Sequence, residues 1–148
     1  SWEKLDLPSS MVASWTPGQH WLMNSYDYVG PVDAAALGSS IWVAVVGSNK
    51  GLYRSGDWGQ TWSLVLNNDY LRTVAVDGTT GTVYAGSSSA LDTGGFNPGS
   101  SGLHRSSDGV GNWVSDNRGL SFPFAMNIRI GPGGTRWLIS PGQGIMKS

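Results

Sequence analysis

The sequence predicts an all-β chain built from a repeated sheet, and three observations lead there. Residues 51–62 and 102–113, GLYRSGDWGQTW and GLHRSSDGVGNW, align without a gap and share Gly, Leu, Arg, Ser, Asp and Trp. A truncated third copy, Gly144-Ile145-Met146-Lys147-Ser148, follows. Finally, 22 Gly among 148 residues, with Ser, Thr, Asn and Asp between short apolar runs, demand many tight turns. A repeat of this period sets the architecture before any single residue is interpreted.

Each unit offers four strands in order. Inner strands are expected at Val32–Leu37, Leu71–Val76 and Ala125–Ile130, and second strands at Ile41–Gly47, Thr82–Gly86 and Thr135–Ile139. The turns between them are short and rich in Gly: Gly38-Ser39-Ser40, Asp77 to Gly81, and Gly131 to Gly134. Small residues such as Ala34, Ala36 and Ala75 suit a crowded innermost strand. The third strand, Gly51 to Ser55 in the first unit, leads into Ser-x-Asp-x-Gly-x-Thr-Trp at 55–62, and an outer strand runs from Trp62 to Leu66. That is a hairpin with a structured turn. Asp57 can accept backbone N–H bonds inside it, Gly59 can take a positive φ, and Trp62 can lie across the hairpin.

These residues resemble the Asp box, or BNR repeat, of sialidases, xyloglucan-active glycoside hydrolases, sortilin-type receptors and bacterial extracellular proteins. The match is complete at Ser55, Asp57, Gly59, Thr61 and Trp62. The second copy keeps Ser106, Asp108 and Trp113. It has Val110 where Gly is expected, Gly111 one place late and Asn112 for Thr, which implies a reshaped turn on a surviving hairpin. The resemblance implies a β-propeller of four-stranded antiparallel blades, about three in this chain, with approximate units 1–61, 62–112 and 113–148. It implies a structural role for the box residues, and Arg54 and Arg105 beside them read as scaffold too. Ser1-Trp2 looks like the end of a box and Glu3–Leu7 like an outer strand. Propellers use roughly 4–8 blades. Three arrangements therefore stay open: part of a longer propeller, a ring shared between chains, or a ring closed by Glu3–Leu7.

Composition narrows function. The net charge is −1 and only 13% of residues are charged, so no basic surface points to nucleic acid. The chain has no Cys, which excludes disulfides, thiolate metal sites and a Cys nucleophile. No apolar run approaches the ~20 residues of a membrane span. No metal or cofactor signature appears: there are two distant His and no P-loop. Eight Trp in a weakly charged β chain suggest an extracellular, cell-surface or periplasmic, polysaccharide-facing role.

Two long insertions, Pro8–Gly30 and Ser87–Ser101, fall on the end of the sheets opposite the boxes. Loops beyond ~12 residues in a compact domain are usually functional or disordered. The first holds Trp15, His20, Trp21, Tyr26, Asp27 and Tyr28, and the second presents Phe96. Aromatic platforms with a few polar groups suit glycan or protein ligands. The same rings could instead fold the loop onto the propeller. Asp33, at the start of an inner strand, is the first candidate acid, with Asp27 and Asp92 near it; a strand-start cap is the plainer reading. Glycoside hydrolysis needs two carboxyl groups about 5–9.5 Å apart, and Glu3 is the only Glu. Arg72, Arg118 and Arg129 could form a sialidase-like cluster, but no other signature of that family accompanies them. The sequence therefore favours a non-catalytic binding or assembly scaffold. The alternative is a fragment or subunit of a xyloglucanase- or sialidase-like hydrolase.

Overall fold

The computed structural model of the chain describes residues 1–2, 4–11, 30–46, 50–68, 70–88, 102–121 and 124–148. Among them run β1 (Gly30–Leu37), β2 (Ser40–Val46), β3 (Gly51–Ser55), β4 (Ser63–Leu66), β5 (Leu71–Val76), β6 (Val83–Ser87), β7 (Gly102–Ser106), β8 (Val114–Ser115), β9 (Asn127–Ile130), β10 (Arg136–Ser140) and β11 (Gly144–Lys147). They form three antiparallel meanders in the order β1-β2-β3-β4, β5-β6-β7-β8 and β9-β10-β11. No helix among the described residues is long and apolar enough to cross a membrane.

The sheets stack face to face. Trp42, Ala44 and Leu52 of the first pack on Leu71, Val74, Val83 and Ala85 of the second. The far side of the second, Ala75, Tyr84 and Leu103, packs on Ile128 and Leu138 of the third, with Ala125. Burying each large aliphatic side chain in these layers contributes about 1.5–3 kcal/mol. β6, in the middle sheet, is covered on both faces by its neighbours, and Leu7 and Met11 cover Val43 and Val45 on the outer face of β2. This is why β2 reads SIWVAVV and β6 reads VYAGS, almost without polar alternation.

Several local expectations shift. The third inner strand starts at Asn127 rather than Ala125, because Ala125 N donates to Ser87 O of the second sheet (3.0 Å). Gly86 permits that approach; a Cβ there would lie 2.6 Å from Ala125 O. The second outer strand has only two residues, since the side chain of Asn117 accepts from Leu103 N (2.7 Å) and replaces a ladder partner. Lys4–Leu7 form no strand; Leu7 packs instead with Met11, Val43 and Val45 against the open side of the first sheet. Ala34 and Ala36 are exposed on that same side, so of the three small inner-strand residues only Ala75 is crowded.

Both motif turns are held by one carboxylate each. Asp57 Oδ1 accepts from Thr61 N (2.9 Å), Gln60 N (3.1 Å) and Ser55 Oγ (2.7 Å), and Oδ2 accepts from Thr61 Oγ1 (2.6 Å). Ser55 Oγ in turn accepts from Gly59 N (2.7 Å), and Trp62 Nε1 donates to Gly59 O (2.9 Å). In the second turn Asp108 Oδ1 accepts from Val110 N (2.9 Å) and Gly111 N (3.0 Å). The turn is reshaped: positive φ falls at Trp58 and Gly59 in the first, but at Gly109 and Asn112 in the second. The hairpin survives, as His104 pairs with Ser115 and Arg105 with Val114. The buried Trp113 Nε1 has no partner in the reshaped turn.

Donors aimed at a carboxylate favour its charged form. The Thr61 hydroxyl and N–H, then the Ser55 hydroxyl, hold Asp57 at about 2, below the ordinary 3.8. The N–H groups of Val110 and Gly111, with the Ser106 hydroxyl, hold Asp108 at about 2 as well. A depressed folded-state value stabilises above the unfolded value and is lost as pH falls through the folded one. The melting temperature should therefore stay level from neutral pH to about pH 4 and drop between about pH 4 and 2. An Asp57→Asn, Asp108→Asn double variant should show a shallower drop by circular dichroism; an unchanged acid slope would remove these carboxylates from the account.

The second turn also meets the first sheet. Trp42 Nε1 donates to Gly109 O (2.8 Å), and a Cβ at Gly109, where φ is +64°, would lie 2.6 Å from that nitrogen and from Val83 Cγ2. Gly109→Ala should cost about 2–4 kcal/mol by urea denaturation, from backbone strain and overpacking together. Gly78→Ala, with nothing within 4 Å of the new Cβ, should stay within about 0.5 kcal/mol.

Candidate functional site

Strand register places both insertions at one end of the sheets. Gly30 pairs with Val46, and Ser87 pairs with both Leu71 and Gly102, so the first insertion ends and the second begins and ends on that side. The motif turns lie at the other end, beside the Leu37–Ser40 and Val76–Val83 pairs. Trp15, His20, Trp21, Tyr26, Asp27 and Tyr28 lie outside the described residues, as do Asp92 and Phe96. The described part of the candidate face is its inner rim, where β1, β5 and β9 lie side by side.

Aligning the sheets on Gly51, Gly102 and Gly144 gives one polar residue at a common inner-strand position. Asp33 sits opposite Ala44, Thr73 opposite Gly86, and Asn127 opposite Ile139. Bulges at Pro31/Asp33 and Leu71/Thr73 re-aim the first two along the stack. Asp33 Oδ2 accepts from Thr73 Oγ1 (2.7 Å) and Val74 N (3.0 Å) of the second sheet, and Oδ1 from its neighbour Ala34 N (3.0 Å). Thr73 Oγ1 then accepts from Ile128 N of the third sheet (3.2 Å). Asp33 and Thr73 thus each take the N–H one place beyond their counterpart in the following sheet.

Arg129 Nη1 stands 3.6 Å from Asp33 Oδ2, with its guanidinium mostly in water, so the pair itself is worth about 1 kcal/mol or less. Both Asp33 oxygens are therefore occupied by donors. The arginines do not cluster as a triad. Arg72 Nε donates to Ser88 Oγ (3.0 Å), while Arg118 lines a separate outer cavity of about 110 Å³ between the second and third sheets. Beside that cavity Asp116 Oδ2 lies 3.2 Å from Arg136 Nη1 and 3.6 Å from Arg105 Nε. The Arg136 guanidinium lies over the Tyr84 ring, and its Nη1 is 3.3 Å from Tyr84 Oη. Arg54 reaches Ser40 Oγ (2.8 Å) and lies over Trp42.

The Thr73 strap and the Asp116 cluster were missed by sequence reasoning. The available signal for the strap was a polar residue recurring at one position once the repeats are aligned; Thr73 and Asn127 pass as ordinary strand residues without that alignment. Asp33→Ala should lower stability by about 3 kcal/mol, because it leaves the Thr73 hydroxyl and Val74 N–H without their acceptor. Thr73→Val should cost about 2 kcal/mol. Urea denaturation checks both, and a loss under about 0.5 kcal/mol for Asp33→Ala would refute the strap.

No protein-family model matches the chain, and no curated protein matches it. Solved structures do. YCF48 bound to D1 peptide aligns with a TM-score of 0.52 and 15% identity over 87% of this chain and 38% of that one. Two structures of the extracellular domain of BT4673 from B. thetaiotaomicron align with TM-scores of 0.56 and 0.57. Their identities are 16% and 15%, over 87% and 86% of this chain and 17% and 16% of theirs. The chain thus spans well under half the length of these structures. They are β-propellers, and the stacked antiparallel meanders with adjacent inner strands described above have the same architecture: this chain carries β-propeller sheets.

Proposed function

We propose that the chain is an Asp-box propeller segment that serves as a non-catalytic binding or assembly scaffold outside the cytoplasm. The end bearing the two insertions is its recognition face. The observation behind this reading is how four of the described aspartates are used. Asp33 straps sheets together, Asp57 and Asp108 hold turns, and Asp116 pairs with two arginines. A general acid for glycoside hydrolysis needs a raised pKa, whereas Asp57 and Asp108 are held at about 2.

The ligand we assign is a protein segment or a glycan held on the rings of Trp15, Trp21, Tyr26 and Tyr28, with His20, Asp27 and Phe96 as further contacts. YCF48, with the same fold, is seen with a peptide, which supports the protein class. The Trp and Tyr content of the first insertion supports the glycan class. Extracellular placement draws support from the extracellular BT4673 domain. The test is thermal: a ligand at about 100 times its Kd adds about 2.7 kcal/mol to stability. Peptide pools, xyloglucan, β-glucan and sialyl oligosaccharides are offered in turn. At least one class should raise the melting temperature, and Trp21→Ala should abolish that rise while leaving the free protein's own melting temperature within a degree or two. Release of sugar from any of these glycans would overturn the non-catalytic reading.

A further inference from the structure

Two buried donors stand without an acceptor in the joint between the first and second sheets: Arg54 Nε and Trp113 Nε1. Arg54 lies over Trp42, 5.6 Å from the ring centroid, and Trp113 packs on the apolar cluster to which Trp42 belongs. A buried donor left unpaired costs free energy, and a half-buried cation without an anion costs more.

The repeat shows what this joint lacks. Arg54 and Arg105 are counterparts, each opposite the first residue of its outer strand. Arg105 Nε faces Asp116 Oδ2 at 3.6 Å, and Arg136 of the following sheet shares that carboxylate at 3.2 Å. The first sheet has Val65 in the place of Asp116, and the second has Val83 in the place of Arg136. One acid and one base are gone, and the other base remains. Among the described residues Arg54 has Ser40 Oγ as its hydrogen-bond partner and no carboxylate. The Trp42 ring offsets only part of the missing charge. Trp113 differs from its own counterpart in the same sense. Trp62 Nε1 donates to Gly59 O (2.9 Å), whereas the reshaped second turn gives the Trp113 indole no carbonyl. Gly56 leaves the guanidinium uncovered: a Cβ there would stand 3.2 Å from Arg54 Nη1.

We propose that Arg54 and Trp113 Nε1 hold an external carboxylate, in the role that Asp116 has for Arg105. A carboxylate is the group that the repeat itself sets against this arginine. It accepts from a guanidinium through both oxygens, and its remaining lone pairs suit an indole N–H. The rotatable stem of Arg54 lets Nε turn toward the entering group. The carboxylate belongs to a small free acid or to an acidic peptide. The site lies toward the motif turns, at the end opposite the insertions, so it goes beyond the proposed recognition face and does not depend on it.

The test is a titration of the whole chain followed in proton–nitrogen correlation spectra. Sodium acetate at constant ionic strength should move the Arg54 Nε–H and Trp113 Nε1–H signals to saturation, with a midpoint below about 20 mM, as the affinity ceiling for so small a ligand allows. The other indole signals should stay in place. A blocked tripeptide containing Asp forms the second arm: a lower midpoint than acetate assigns the site to a peptide, and a higher one assigns it to a small acid. Arg54→Gln should raise the acetate midpoint at least tenfold. Val65→Asp restores the carboxylate in its counterpart's place and should abolish the response. Far-ultraviolet dichroism checks that both variants fold, and if Val65→Asp does not, Arg54→Gln decides. Absence of a saturable shift at these two groups, or an equal response in Arg54→Gln, overturns the proposal. Neither result bears on the melting shifts that test the insertion face.

Discussion

The stack depends on a short chain of hydrogen bonds across its inner rim. The Asp33 carboxylate takes the Thr73 hydroxyl and Val74 N–H, and the Thr73 oxygen takes Ile128 N–H. Apolar burial between the sheets is larger in energy but non-directional. It would tolerate a slide of one sheet on another by a residue. The strap does not, because a displaced sheet would leave N–H groups buried and unpaired, at about 1–3 kcal/mol each. Burial holds the sheets together, and the strap sets their order and register.

The motif turns solve a different problem at the opposite end. A tight connection between third and fourth strands leaves several N–H groups pointing inward, and one ionised aspartate gathers them. The two copies show how much variation this allows. The left-handed residues move along the turn, the Thr hydroxyl is lost, and the Trp113 indole gives up its acceptor, yet the carboxylate still receives two N–H groups. What the second turn cannot give up is Gly109, whose missing side chain lets Trp42 of the preceding sheet reach its carbonyl. Local turn chemistry and sheet stacking meet at that residue.

Much of the scaffold was legible in the sequence. The inner, second and third strands lie within one or two residues of the spacing read from the repeat. The partners of Asp57 all lie within four positions of it, so their bonds follow from the motif alone. The candidate face was less legible. Register places both insertions on one end, but of the residues chosen there only Asp33 lies within the described structure, and its carboxylate is turned into the stack. Lys4–Leu7 has the look of an outer strand, yet Leu7 found a better use against Val43 and Val45 than strand pairing offers.

The sequence by itself determined most of the sheets: which residues become the inner, second and third strands, where the chain reverses, and which carboxylates organise the reversals. All of these rest on bonds and periodicities spanning a few residues. The tertiary structure alone decided how sheet meets sheet. Thr73 reaches Asp33 across 40 positions, Ile128 reaches Thr73 across 55, and Trp42 reaches Gly109 across 67. No local pattern specifies contacts at such separations; they exist only once stacking has brought the inner strands together.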